Sequence, residues 1–186
     1  MPSLGGPRSW AYAPGRVWEK VIALDEVTGY VGAPDLWQIT VRLAGEDRFS
    51  GQVHGAHLDE AFELSGWQRG RLRSTLSPNG PPFCLDGERT PSRVELYGRA
   101  IGPGRFVLQR VGPERIKGRV LTPNVHGLLD LRNSGGLLTG TVSRDGKTAL
   151  DLEIPCGQFD ALCLATMAAL AYERAMVSWI ATAWAE

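Results

Sequence analysis

With 186 residues, 20 basic and 20 acidic side chains and a 43% apolar share, the chain has the size and composition of one globular domain. Its zero net charge lacks the domain-wide basic excess of duplex nucleic-acid binders, so no nucleic-acid partner is expected. Cys84, Cys156 and Cys163 are odd in number and form no CxxC pair, which points away from a disulfide framework or a zinc ribbon and toward a reducing, cytoplasmic location.

Residues 1–15 contain Pro2, Gly5, Gly6, Pro7, Pro14 and Gly15 but no apolar core, so they read as a flexible tail rather than a signal peptide. A single domain is expected over 16–186. Within it the period is two. Trp37, Ile39, Val41 and Leu43 alternate with Gln38, Thr40 and Arg42, the pattern of a strand buried on one face. Val94 and Leu96 alternate with Arg93 and Glu95, and Leu150, Leu152 and Ile154 alternate with Asp151 and Glu153. Further strands are expected over 17–24, 49–53, 71–76, 105–111, 116–121, 125–131 and 138–143. Turn signals separate most of them, at 44–47, 77–82, 102–104, 133–136 and at Asp145-Gly146. The last is the sharpest hairpin signal, because a type I′ turn needs positive φ at both central residues.

The segment from Asp160 onward is different. Residues 161–172 carry no charge, and neither Pro nor Gly interrupts the run that follows. Asp160 is suited to cap a helix by accepting from the free N–H groups of its first turn. A helix apolar on nearly every face must be buried all round, in lipid or in protein. A bilayer span needs about 20 apolar residues, and here it would carry Glu173 and Arg174 near its middle, so burial in protein is favoured. The expected fold is mainly β: an antiparallel barrel of about ten to twelve strands wrapped around, or packed on, one hydrophobic C-terminal helix over 160–184. Glu173 and Arg174 are expected at the barrel rim or paired.

Charge is uneven along the chain. Residues 65–119 hold 11 basic and 4 acidic side chains, whereas both flanking segments are net acidic. Arg69, Arg71 and Arg73 alternate, as do Arg115, Lys117 and Arg119, and residues two apart on a strand share a face. Each triplet is therefore a candidate anion-binding row, although a solvated outer sheet face accounts for the same pattern.

Catalytic signatures are scarce. The sequence has no GxSxG elbow, no GxxxxGK[ST] loop and no GxGxxG after a strand. His54 and His57, with His126 as a third imidazole, are the best metal candidates. Gly55 and the neighbouring strand pattern disfavour the helix that would bring His54 and His57 to one face, and polar loop histidines explain them equally well. Cys84 is expected in a Pro-rich loop, with no evident base beside it. Trp37 and Trp67 read as core anchors. No catalytic set and no cofactor is assigned.

The C-terminal third resembles the tubby-like superfamily, specifically its LURP-one-related and phospholipid-scramblase-like group. The residues carrying the resemblance are Gly136-Leu137-Leu138-Thr139-Gly140-Thr141-Val142-Ser143-Arg144, then Asp151-Leu152-Glu153-Ile154-Pro155, then Gly157-Gln158-Phe159-Asp160 leading into the Ala- and Leu-rich helix. The match lies mainly in residues 134–186. It implies a twelve-stranded barrel around a buried helix, and recognition of membrane lipid or scaffolding rather than turnover; tubby domains bind phosphoinositide headgroups through basic side chains on the barrel surface. Between Asp160 and Glu186 the only other acid is Glu173, so the acidic calcium-binding segment beside a scramblase helix has no counterpart.

The sequence thus leads to a noncatalytic module that recognises an anionic partner, either membrane phospholipid headgroups or an acidic protein surface, with peripheral membrane contact. The alternative is a small β-barrel enzyme of the cyclase or isomerase kind, holding an apolar substrate in its lumen. A structural or assembly component is the third reading. A helix inside the lumen would leave the enzyme no cavity there of the usual 300–1,000 Å³.

Overall fold

The computed structural model describes residues 25–32, 36–76, 83–98, 104–123, 125–145 and 147–183. The expected tail at 1–15, the candidate strand at 17–24, the turn at 77–82 and Gly146 lie outside them. Among the described residues twelve strands form one closed barrel. They are β1 (Glu26–Val31), β2 (Trp37–Gly45), β3 (Arg48–Gly55), β4 (Leu58–Ser65), β5 (Arg71–Leu76) and β6 (Phe83–Arg89), followed by β7 (Arg93–Gly98), β8 (Arg105–Arg110), β9 (Arg115–Leu121), β10 (His126–Ser134), β11 (Leu137–Arg144) and β12 (Thr148–Pro155). One helix, α1 (Ala161–Ala183), follows.

Each strand pairs antiparallel with the next in sequence, and β1 closes the barrel on β12 through the pairs Tyr30↔Glu153 and Val31↔Leu152. The backbone N–H of Gly32 extends this seam by donating to the Asp151 carbonyl at 2.7 Å. Closure matters because an open sheet edge would leave a row of unpaired backbone groups. The β10–β11 hairpin turns at Gly135 and Gly136, whose φ values of 60° and 80° suit a type I′ geometry. The β11–β12 hairpin forms at the expected place, with Asp145 at φ 50°.

The three strands that alternation did not reveal are β1, β4 and β6. Each interrupts its own apolar row on the lumen side. Gly29 takes that position in β1, Gly87 in β6, and Glu60 stands opposite the buried Val53 in β4.

The helix follows β12 after a short turn, in which the Phe159 N–H donates to the Cys156 carbonyl at 2.9 Å. It packs against β2, β3, β4 and β7 to β11, so strands surround it, and all side chains from Ala161 to Glu173 are buried. Its composition explains the fit. The wall projects large side chains inward, among them Ile39, Phe62, Leu64, Leu96, Phe106 and Leu108, and a slim helix rich in alanine fills what remains. Ala165, Ala168, Ala169, Ala171 and Ala175 supply that slimness, while Leu164, Met167 and Leu170 key into the wall. Residues 161–180 are long and apolar enough to cross a membrane, but most of that length is buried inside the protein. Thr166 satisfies its hydroxyl by donating to the Leu162 carbonyl at 2.8 Å. Glu173, only 3% exposed, is paired with Arg174 through contacts of 2.6 and 2.9 Å, so the charges that argued against a bilayer neutralise each other within the fold.

Candidate functional site

On a closed barrel every second residue faces out, and register determines which outward residues become neighbours. Along β7 to β11 the outward side chains form a grid. One row runs Tyr97, Arg105, Leu121, His126; the next runs Glu95, Val107, Arg119, Leu128, Ser143; a third runs Arg93, Gln109, Lys117, Asp130, Thr141. Arg115 and Arg132 stand opposite each other one row further on. This wall therefore carries Arg93, Arg105, Arg115, Lys117, Arg119 and Arg132 against Glu95 and Asp130. A groove of about 730 Å³ runs across it, bounded by Arg105, Val107, Lys117, Arg119, Leu121 and Leu128 among others.

The two carboxylates are already engaged. Asp130 accepts from Arg115 through Nε at 2.8 Å and Nη2 at 2.5 Å. That guanidinium holds the Asp130 carboxyl below its ordinary range, aided by the charges of Lys117 and Arg132, and the same contact raises the pKa of Arg115. Glu95 accepts from Arg93 Nε at 2.7 Å and from the Tyr97 hydroxyl, and its Oε1 lies 3.7 Å from Arg105 Nη2. Arg105 also stands 5.7 Å from the centre of the Tyr97 ring. Lys117 and Arg119 differ: among the described residues neither has a carboxylate at ion-pair distance. They lie exposed in the middle of the wall beside Leu121 and Leu128, which are 38% and 41% exposed.

The two predicted basic rows fare differently. Arg115, Lys117 and Arg119 share the outer face of β9, as their alternation requires. Arg69 precedes β5 in a turn, outside the strand on which the first triplet was expected, and contacts Asp47 at 3.3 Å. Arg71 and Arg73 do face outward on β5, where Arg71 stands opposite Glu88 and Arg73 reaches Asp86 at 3.5 Å. Four strand spacings of about 4.8 Å put β5 and β9 roughly 19 Å apart around the wall, so the triplets form no common patch. Arg105, Val107 and Leu128 were not singled out as site residues, because only register brings β8 and β10 beside β9.

The metal candidates stay apart. His54 Nδ1 lies 3.4 Å from Asp59, His57 occupies the turn between β3 and β4, and His126 Nδ1 lies 3.4 Å from Asp145 at the start of β10. Among the described residues no cluster of three or more His, Cys, Asp or Glu side chains has metal-binding geometry. Trp37 and Trp67 are buried, the first edge-on to Tyr172 at 6.3 Å and the second beneath the Arg89 guanidinium at 4.7 Å.

Fold and site together define a closed antiparallel barrel filled by its own C-terminal helix, with a cationic and partly apolar groove on its outer wall. No protein-family model, curated protein or solved structure matches this chain.

Proposed function

We propose that this protein is a noncatalytic binding module that docks on membranes carrying anionic phospholipids through the outer wall of β7 to β10. The observation that carries this reading is the pairing of Lys117 and Arg119, neither at ion-pair distance from a carboxylate among the described residues, with exposed Leu121 and Leu128. Cations beside short apolar side chains match the boundary between headgroups and acyl chains, where each Lys or Arg near an anionic surface contributes about 1 kcal/mol. Contributions of that size from Arg105, Lys117 and Arg119 give weak, reversible, salt-sensitive attachment. The resemblance of residues 134–186 to the tubby-like superfamily points the same way, toward phosphoinositide-type headgroups. An acidic protein surface would satisfy the cations but would not require the leucines. The lumen alternative is disfavoured because α1 occupies the barrel axis, where an apolar substrate would have to bind.

The test is co-sedimentation with vesicles of neutral lipid alone or supplemented with phosphatidylserine or a phosphoinositide. Wild type should pellet with the anionic vesicles at low salt and less at physiological salt, as the Debye length falls from about 30 to about 8 Å. The double variant K117E/R119E should stay in the supernatant, while R71E/R73E, on the far wall, should pellet like wild type. Failure of the wild type to pellet with any anionic vesicle at low salt overturns the lipid reading. Retention on immobilised polyglutamate under the same conditions would then assign the wall to an acidic protein partner.

A further inference from the structure

A second cavity, of about 570 Å³, opens where α1 emerges from the barrel, and it differs in kind from the outer groove. Its walls come from Trp37, Tyr172 and Met176, with Leu36, Leu150 and Trp179 nearer solvent. Trp37 and Tyr172 meet edge to face at 6.3 Å, so the inner wall is a packed aromatic corner. Leu36 and Trp179 are 41% and 56% exposed, so large apolar surface faces an open cavity. At the rim, Arg144 and Lys147 stand on one tight turn, where the Lys147 N–H donates to the Arg144 carbonyl at 2.9 Å. Neither cation contacts a carboxylate among the described residues. Asp145, between them, lies 3.4 Å from His126, an imidazole that does not line this cavity.

We propose that this mouth binds a single-chain amphiphile with an anionic head, its alkyl tail against Trp37, Tyr172, Met176 and Trp179 and its head on Arg144 and Lys147. The volume falls within the 300–1,000 Å³ of small-molecule sites, and such sites combine an apolar lining with a few placed polar groups. A neutral apolar ligand would leave the two cations unused, and a compact polar anion would leave the aromatic corner wet. Charge complementarity and an apolar wall together select one molecule with both parts. The head is a carboxylate or a phosphate, from a free fatty acid or a lysophospholipid. The site is separate from the outer wall and stands or falls without it.

Isothermal titration of the full chain with sodium laurate, kept below micelle-forming concentration, tests the proposal, with lysophosphatidic acid of the same chain length as a second arm. One saturable site is expected, and octanoate, decanoate and laurate should differ by about fourfold in affinity per methylene buried. The tighter arm identifies the head. R144Q/K147Q should weaken binding at least tenfold, D145N should strengthen it, and L150W should block it by filling the cavity. Each variant is checked for a wild-type circular dichroism spectrum. K117E/R119E should bind laurate like wild type, which separates this site from membrane docking. Absence of saturable binding to either amphiphile by the folded wild type overturns the proposal, as does equal affinity for dodecyltrimethylammonium. Undiminished binding by folded R144Q/K147Q overturns the assignment of the head.

Discussion

Arg110 and Asp160 join the barrel wall to the start of its central helix. Arg110 Nη2 donates to both carboxylate oxygens of Asp160, at 3.1 and 2.9 Å. Asp160 Oδ1 simultaneously accepts the backbone N–H groups of Leu162 at 2.7 Å and Cys163 at 3.1 Å. One side chain therefore caps α1 and anchors that cap to the end of β8. The negative charge also lies at the positive end of the helix dipole.

These two roles separate by mutation. Asp160→Ala removes cap and ion pair together and should cost about 1–2 kcal/mol in urea unfolding. Asp160→Asn keeps a capping oxygen, and Arg110→Gln keeps the whole cap, so each should cost less than the alanine change. The ion pair is partly exposed and by itself contributes at most about 1 kcal/mol. Equal losses in Asp160→Ala and Asp160→Asn would assign the stabilisation to the ion pair instead.

The helix core should tolerate little. Leu170→Ala, at a position with no solvent exposure, should cost about 2–5 kcal/mol through lost contacts and the cavity left behind. Leu164→Asp puts an unpaired carboxylate in the same interior and should prevent stable folding. A folded Leu164→Asp protein with wild-type thermal stability would show that α1 is dispensable to the core.

Acid titration should reveal the Asp130–Arg115 contact. The folded carboxyl titrates below its ordinary value of 3.8, chiefly because it accepts from Arg115, so the contact stabilises the fold above the unfolded pKa. That contribution is lost as pH falls from about 5 through the folded value. Its size is small because both side chains are about half exposed. In Arg115→Gln the Asp130 pKa, followed by NMR, should rise, and stability should depend less on pH along the acid limb. An unchanged Asp130 pKa would remove the guanidinium as its cause.

The thiols should react in an order determined by burial. A thiol in the first turn of a helix ordinarily has a lowered pKa. At Cys163 burial outweighs that influence and pushes the pKa strongly upward, with the charge of Asp160 adding to it. Burial raises Cys156 as well. Cys84 is partly exposed. With Ellman's reagent at pH 8, Cys84 should react in the native protein, and Cys156 and Cys163 only after denaturant is added. Rapid native labelling of Cys163, located by peptide mapping, would mean that the helix N-terminus opens readily.

The sequence by itself determined the elements whose signal is local. Residues 161–172 had to form a buried helix because their uncharged, mostly apolar side chains cover every face and Asp160 can cap the first turn. Strands such as β2, β9 and β12 were legible because a pleat sends neighbours to opposite faces, and Arg115, Lys117 and Arg119 shared a face for the same reason. That reason fails for β1, β4 and β6, where glycine or glutamate interrupts the inward apolar row and the partner strands supply the burial.

Only the tertiary structure decided which outward cations remain available. Arg115 meets Asp130 fifteen residues on, and Arg105 and Leu128 join Lys117 and Arg119 only through the registers of β8 and β10 with β9. The cavity at the barrel mouth likewise gathers Leu36, Leu150 and Trp179 from distant parts of the chain. A period-two pattern records which face a side chain takes; ion pairing and cavity walls depend on which strand lies alongside, and that information resides in the register.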